Sequence, residues 1–222
     1  MKRVPLKQKV LKENDRIAAE LRARFREQGT LALNLMSSPG SGKTSLLEQT
    51  LSHMPKDMRA AVLTGDIATE NDAERLRRVG SATQITTGGS CHLDAKMVER
   101  GLENQGGGPL DILFIENVGN LVCPAGFDLG EYAKVVILSV TEGDDKPLKY
   151  PTMFVRADVM ILNKIDLLPH VPCDADKVIE NAHRIHPGLD VIRTSCLTGQ
   201  GIDEWIAWLQ GRLREVRSRQ AR

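Results

Sequence analysis

Short runs of apolar and β-branched residues recur along the chain, at Leu31–Met36, Ala61–Thr64, Thr83–Thr86, Ile112–Ile115, Val135–Val140, Val159–Leu162 and Val191–Arg193. Most are nearly continuous in apolar character, the pattern of parallel strands covered on both faces. Between them the apolar positions take helical spacing, over Ser45–His53, Glu70–Val79, Asp94–Glu103, Ala175–His186 and Ile202–Val216. Strand and helix in alternation predict an α/β fold, a doubly wound and mostly parallel sheet of about seven strands with helices on both faces. The first segment differs. Leu11, Ile17, Leu21 and Phe25 share one helical face with charges elsewhere, so residues 1–29 are expected to form an amphipathic helix packed on the domain. Residues 30–216 then make one domain, followed by a basic tail at 217–222. The Gly-rich stretch Gln105–Pro109 reads as a loose connection.

Composition narrows the class. At 222 residues the chain can bury one full core. No apolar run approaches the roughly 18 residues that cross a bilayer, and the N-terminus lacks the apolar stretch of a signal peptide. Cys91, Cys123, Cys173 and Cys196 form no C-x-x-C pair. A cytoplasmic chain with reduced thiols and no membrane partner is the expectation. Charge is uneven: residues 1–29 hold nine Lys/Arg against four Asp/Glu, and residues 212–222 hold five against one. No aromatic residues are interleaved with the C-terminal arginines, so solvated helix faces account for these ends and nucleic acid is not expected.

The sequence SSPGSGKT, residues 37–44, lies between the first predicted strand and the first helix after it. That is the context of a phosphate-binding loop. Gly40, Ser41, Gly42, Lys43, Thr44 and Ser45 make up its phosphate-facing half. The glycines let backbone N–H groups approach an anion, and the helix N-terminus adds a favourable dipole. Lys43 is placed to reach β- and γ-phosphates, and the Thr44 hydroxyl to ligate Mg²⁺. Ser37 stands where the consensus has its first glycine, so the entry to the loop is expected to differ slightly.

Asn163-Lys164-Ile165-Asp166 follows the strand Val159–Leu162 directly. At a strand end downstream of a phosphate loop, this pattern predicts a guanine site. Asp166 accepts from the ring N–H and exocyclic amine of guanine, donors that adenine lacks there. The Lys164 stem would lie along the base, Asn163 would tie loops together, and Ser195-Cys196 fits the loop that meets the guanine carbonyl. GTP and GDP are therefore the expected ligands. Two further strand-end carboxylates, Asp66 and Glu116, suit Mg²⁺ held directly or through water. N-capping of the following helix by Asp66 and Asp72 is the alternative. Glu116-x-x-Gly119 resembles the D-x-x-G switch with Glu in place of Asp.

Cys91, His92 and Cys123 also fall after predicted strands. Thiolate and imidazole are ligands for Zn²⁺ and Ni²⁺. Packing is the plainer reading of a buried cysteine, and spacing alone does not decide between them.

The segments GGSCHLDA (88–95), ENVGNLVCP (116–124), VTEGDDKPLKYP (140–151) and NKIDLLP (163–169) resemble the hydrogenase nickel-incorporation GTPases of the HypB family, a SIMIBI-class branch of P-loop GTPases. The resemblance runs from about Leu31 to Trp208. It implies GTP hydrolysis, homodimerisation promoted by nucleotide, and Ni²⁺ or Zn²⁺ on Cys91, His92 and Cys123. It also implies the metallochaperone HypA and the hydrogenase large-subunit precursor as partners. The chain has no N-terminal Cys-rich motif and no His-rich stretch. A P-loop kinase or metabolic NTPase without metal cargo, or a urease-type nickel GTPase, is the alternative.

Overall fold

The computed structural model describes residues 6–66, 71–106 and 108–220, and the side chains of residues 11–66, 71–106 and 108–220. Seven strands form one sheet: β1 (Leu31–Ser37), β2 (Ala60–Asp66), β3 (Ser81–Thr86), β4 (Ile112–Glu116), β5 (Ala133–Ser139), β6 (Val159–Asn163) and β7 (Asp190–Arg193). Their order is β3-β2-β4-β1-β5-β6-β7, and every pairing is parallel. The helices are α1 (Leu6–Gln28), α2 (Lys43–His53), α3 (Asn71–Arg77), α4 (Ala95–Gln105), α5 (Lys146–Lys149), α6 (Pro151–Val155), α7 (Ala175–Ile185) and α8 (Ile202–Gln220).

Both sheet faces are covered, as the unbroken apolar runs require. On one face Leu31, Leu33, Leu35, Val62, Phe114, Val135 and Ile161 pack against α2, α3 and α8. Trp205 of α8 is fully buried there and donates its indole N–H to Thr50 of α2 at 2.9 Å. On the other face, Ile17, Ala18, Leu21 and Phe25 of α1 join Val98 of α4 over β1, β2 and β4. Met153 and Phe154 of α6 and Val178 and Ala182 of α7 cover β5 and β6. Burying this much apolar area is the main favourable term of folding.

Several expected boundaries move. The β5 run stops at Ser139, because Val140 opens a 3-10 turn, Val140–Glu142, closed by a capping box between Ser139 and Glu142. Asp94 is the N-cap of α4, its carboxylate accepting from the Met97 N–H, and is not a helical residue. α3 ends at Arg77, short of Val79, and His186 caps α7 from outside. Residues 217–220 of the expected tail continue α8, and Gln220 donates to the Glu27 carbonyl at 2.7 Å. Residues 1–5, Glu70 and residues 221–222 of the sequence expectations lie outside the described residues. His183 is exposed, with its Nε2 3.0 Å from the Leu189 carbonyl, while His186 is half-buried and bonds the Phe154 carbonyl at 3.2 Å.

Candidate functional site

All strands run the same way, so the residues after β1, β2, β3, β4, β6 and β7 emerge at one edge of the sheet. That is where an open parallel sheet binds ligands. A cavity of about 480 Å³ opens there, lined by Gly40, Gly42, Lys43, Thr44, Ser45, Asp66, Glu116, Gly119 and Lys164. Asp72 and Arg75 of α3 also line it, and sequence reasoning gave neither a ligand role. Arg75 is held by Glu48 at 2.6 Å and by the Ser45 hydroxyl at 3.3 Å.

The phosphate loop has the backbone its glycines permit. Gly40 and Gly42 take φ of 76° and 96°, where a side chain is disfavoured. Ser37 needs no glycine, since it is the last residue of β1 and its backbone is extended. Its hydroxyl accepts from Lys43 Nζ at 2.7 Å and donates to the Ser38 carbonyl at 2.7 Å. Burial pushes the Lys43 amine below its usual range, with Glu116 opposing that shift. Thr44 donates to Glu116 Oε1 at 2.8 Å. Glu116 Oε2 is buried without a hydrogen-bond partner among the described residues, and burial raises its carboxyl above the usual range. A buried acceptor beside a hydroxyl and a second strand-end carboxylate, Asp66, is the donor set a divalent cation takes.

The base loop and the phosphate loop are stitched together. Asn163 donates to the Ser41 carbonyl at 2.9 Å, and Lys164 Nζ to the Gly40 carbonyl at 2.7 Å. A Cβ on Gly42 would meet the Asn163 amide at 2.4 Å. Lys164 has φ of 62°, alone among the described non-glycine residues in having a positive φ. Thr194 donates to Asn163 Oδ1 at 3.1 Å, and the Ser195 hydroxyl donates to Asp166, so the third segment joins the other two. Cys196 packs against the same Asn163 oxygen, its thiol pushed up to about 11 by burial.

Cys91, His92 and Cys123 converge, with one donor atom from each lying within 4.8 Å of the others. Cys91-His92 sits in the loop between β3 and α4, and Cys123 at the start of the short turn Pro124–Gly126. Cys91 Sγ is 3.7 Å from His92 Nδ1. The imidazole stacks on Phe127 at 3.9 Å between centroids, and burial lowers its pKa, which favours the neutral ring that a metal requires. The Cys123 thiol is raised, first by its hydrogen bond with Cys91. Cys173 lies away from this cluster, against α7.

A larger cavity, about 950 Å³, opens at the opposite edge between α1 and α8 and holds none of these groups. Among the described residues, no helix is long and apolar enough to cross a membrane.

Residues 31–193 match the family described as CobW/HypB/UreG, nucleotide-binding domain. The chain is 54% identical to the hydrogenase maturation factor HypB of Azotobacter chroococcum mcd 1, over 93% of this chain and 68% of that one. It is 42% identical to the hydrogenase/urease maturation factor HypB of Helicobacter pylori, over 96% and 90%. A crystal structure of HypB from Helicobacter pylori in complex with nickel superposes with a TM-score of 0.86, at 42% identity, covering 91% of this chain and 96% of that one. HypB from Archaeoglobus fulgidus gives 0.85 at 43% identity, over 91% and 100%. The signal recognition particle 54 kDa protein of Aeropyrum pernix K1, in complex with GDP, shares the fold at TM-score 0.59 and 14% identity.

Proposed function

The chain belongs to the HypB hydrogenase maturation factors of the CobW/HypB/UreG family, and we propose on that premise that it is a GTP-hydrolysing metallochaperone which carries nickel or zinc and assists nickel insertion into the NiFe-hydrogenase large-subunit precursor. The observation that carries this reading is the convergence of two thiols and an imidazole within 4.8 Å, at the sheet edge that also bears the phosphate loop. A P-loop kinase has no use for such a cluster, and the Asp166 carboxylate after β6 suits guanine and not adenine.

In the proposed reaction the N–H groups of residues 40–45 and Lys43 hold the β- and γ-phosphates of GTP. Mg²⁺, when bound, would lie on Thr44 with Asp66 and Glu116 nearby and would neutralise phosphate charge. Lys43 leaves the Ser37 hydroxyl for the phosphates. Gly119 packs on Pro39 of the phosphate loop, where a Cβ would come within 3.2 Å, and its N–H is the group offered to the γ-phosphate. Asp166 reads the base, with Ser195 steadying it. The cargo metal takes Cys91, His92 and Cys123 as three ligands, leaving a fourth position for water or a receiving protein. We further propose that the protein works as a nucleotide-promoted homodimer, with HypA and the large-subunit precursor as partners.

Phosphate release from GTP and from ATP, with equilibrium titration of Ni²⁺ and Zn²⁺, tests this. Hydrolysis of GTP in preference to ATP is expected, together with metal binding that Cys123→Ala removes. Equal use of ATP, or unchanged metal binding by that variant, overturns the reading.

A further inference from the structure

Asn34 lies in the middle of β1, among residues that are apolar up to Ser37, and is fully buried. A buried amide is costly unless all its polar atoms are satisfied. It is satisfied by a directed chain. Glu131 receives the Lys134 ammonium and the Leu129 N–H, so it is a carboxylate and can only accept. Asn34 therefore turns its Nδ2 to Glu131, at 3.3 Å, and its oxygen the other way. That oxygen accepts from Asn117 Nδ2 at 3.1 Å. Asn117 is left with its own oxygen facing two backbone donors, Val118 N–H and Leu93 N–H, both at 3.0 Å.

The two donors belong to different loops. Val118 lies between Glu116 and Gly119, the segment that packs on the phosphate loop. Leu93 directly follows His92. Leu93 is held a second time by its side chain, which fills the place a Cβ on Gly65 would occupy, at 2.8 Å, next to Asp66.

We propose that Asn117 is a positioning residue whose amide oxygen clamps the phosphate-sensing segment to the Cys91-His92 loop, so that nucleotide state sets the geometry of the cargo metal site. The inference rests on the functional reading above. Asn117 borders the nucleotide cavity but is 1% exposed, and its amide oxygen is directed at the two backbone donors. It transmits because one oxygen holds both loops and the chain from Glu131 fixes which way that oxygen points. A displacement of residues 116–119 then carries Leu93 and its neighbour His92 with it, and metal ligation tolerates only about 0.2 Å.

The test is titration of Ni²⁺, and separately Zn²⁺, into the full chain saturated with GDP or with a non-hydrolysable GTP analogue. The parent, Asn117→Ala and Asn34→Ala proteins are compared. In the parent the two states should differ in metal affinity by roughly 5–150-fold, the usual size of such coupling. Asn117→Ala should bring the ratio to within about twofold of one while GDP affinity and metal stoichiometry persist; Asn34→Ala should fall between. A purely structural Asn117 would lower the melting temperature and leave the ratio alone, and an unchanged ratio overturns the proposal. Should Asn117→Ala not fold, an unchanged ratio in Asn34→Ala overturns it equally. A parent ratio of one removes the clamp but leaves the GTPase and metal-carrier reading intact. Absence of GTP or metal binding by the parent defeats that reading, and the inference with it.

Discussion

At the scale of single residues, a side chain's chemistry here is set by what it is pinned against. Asp166 is exposed enough to meet a base, and its orientation comes from Ser195. Asp166→Asn replaces an acceptor by a donor, so GTP affinity should fall by roughly 100-fold or more and xanthine nucleotides should gain. Competition binding with the two nucleotide series checks this, and unchanged GTP affinity removes the base-reading role. Ser37 answers the question raised by the missing first glycine: its backbone is extended, and its hydroxyl occupies Lys43. Lys43 must leave that hydrogen bond to meet phosphate. Ser37→Gly is thus expected to bind GTP as tightly as the parent or up to about tenfold more tightly, since one such bond is worth roughly 0.5–1.5 kcal/mol. Calorimetric titration decides, and a marked loss of affinity would show that the hydroxyl helps bind nucleotide. Lys43→Ala, by contrast, should abolish tight GTP binding and hydrolysis, because nothing else in the loop carries the charge.

At the scale of elements, α1 docks through one close approach. Gly130 has φ of 80°, and a Cβ there would fall 2.7 Å from Leu21 Cβ and 2.8 Å from the Ala18 carbonyl. Asn14 adds polar fastening, accepting from the Ala95 N–H and donating to the Asp128 carbonyl, each at 2.9 Å. Gly130→Ala should destabilise the protein by about 1–3 kcal/mol through backbone strain and overpacking. Denaturant unfolding measures it, and a loss under about 0.5 kcal/mol, the range of neutral surface changes, would mean that α1 contributes little. The strands and long helices were legible because each buries a continuous face, which writes a period into the sequence. α5 and α6 were not, being single turns that open on Lys146-Pro147 and Pro151 with too few residues for any period. The phosphate and base loops were legible as motifs because their chemistry needs contiguous residues. Asn34, Asn117 and Phe127 gave no such signal, since each is joined to a residue far away in the chain. The metal cluster stands between these cases: its donor types were readable, but its convergence depends on which loops the sheet order brings together.

At the scale of the whole molecule, the two sheet edges divide the work. Chemistry gathers where the strands end, while α1 and α8 close the other edge. The segment after Glu142 extends the chemical edge outward. Glu142 accepts from the Ser41 hydroxyl of the phosphate loop at 2.8 Å, and Leu148 of α5 is 45% exposed. Nucleotide is therefore expected to bias this surface, and GTP with Mg²⁺ should favour a symmetric dimer through it. Light scattering should show the mass rise with a GTP analogue and Leu148→Glu reverse it; an identical mass in all nucleotide states argues against nucleotide-driven assembly. The seating of Leu93 in the space at Gly65 has a consequence of another kind. Gly65→Ala alone collides with Leu93, and Leu93→Ala alone leaves a hole of three carbons, which a new Cβ at 65 would fill in part while meeting no clash. The pair should show sign epistasis. Single substitutions at Gly65 or Leu93 are therefore each costly, and either becomes cheaper once the other has occurred.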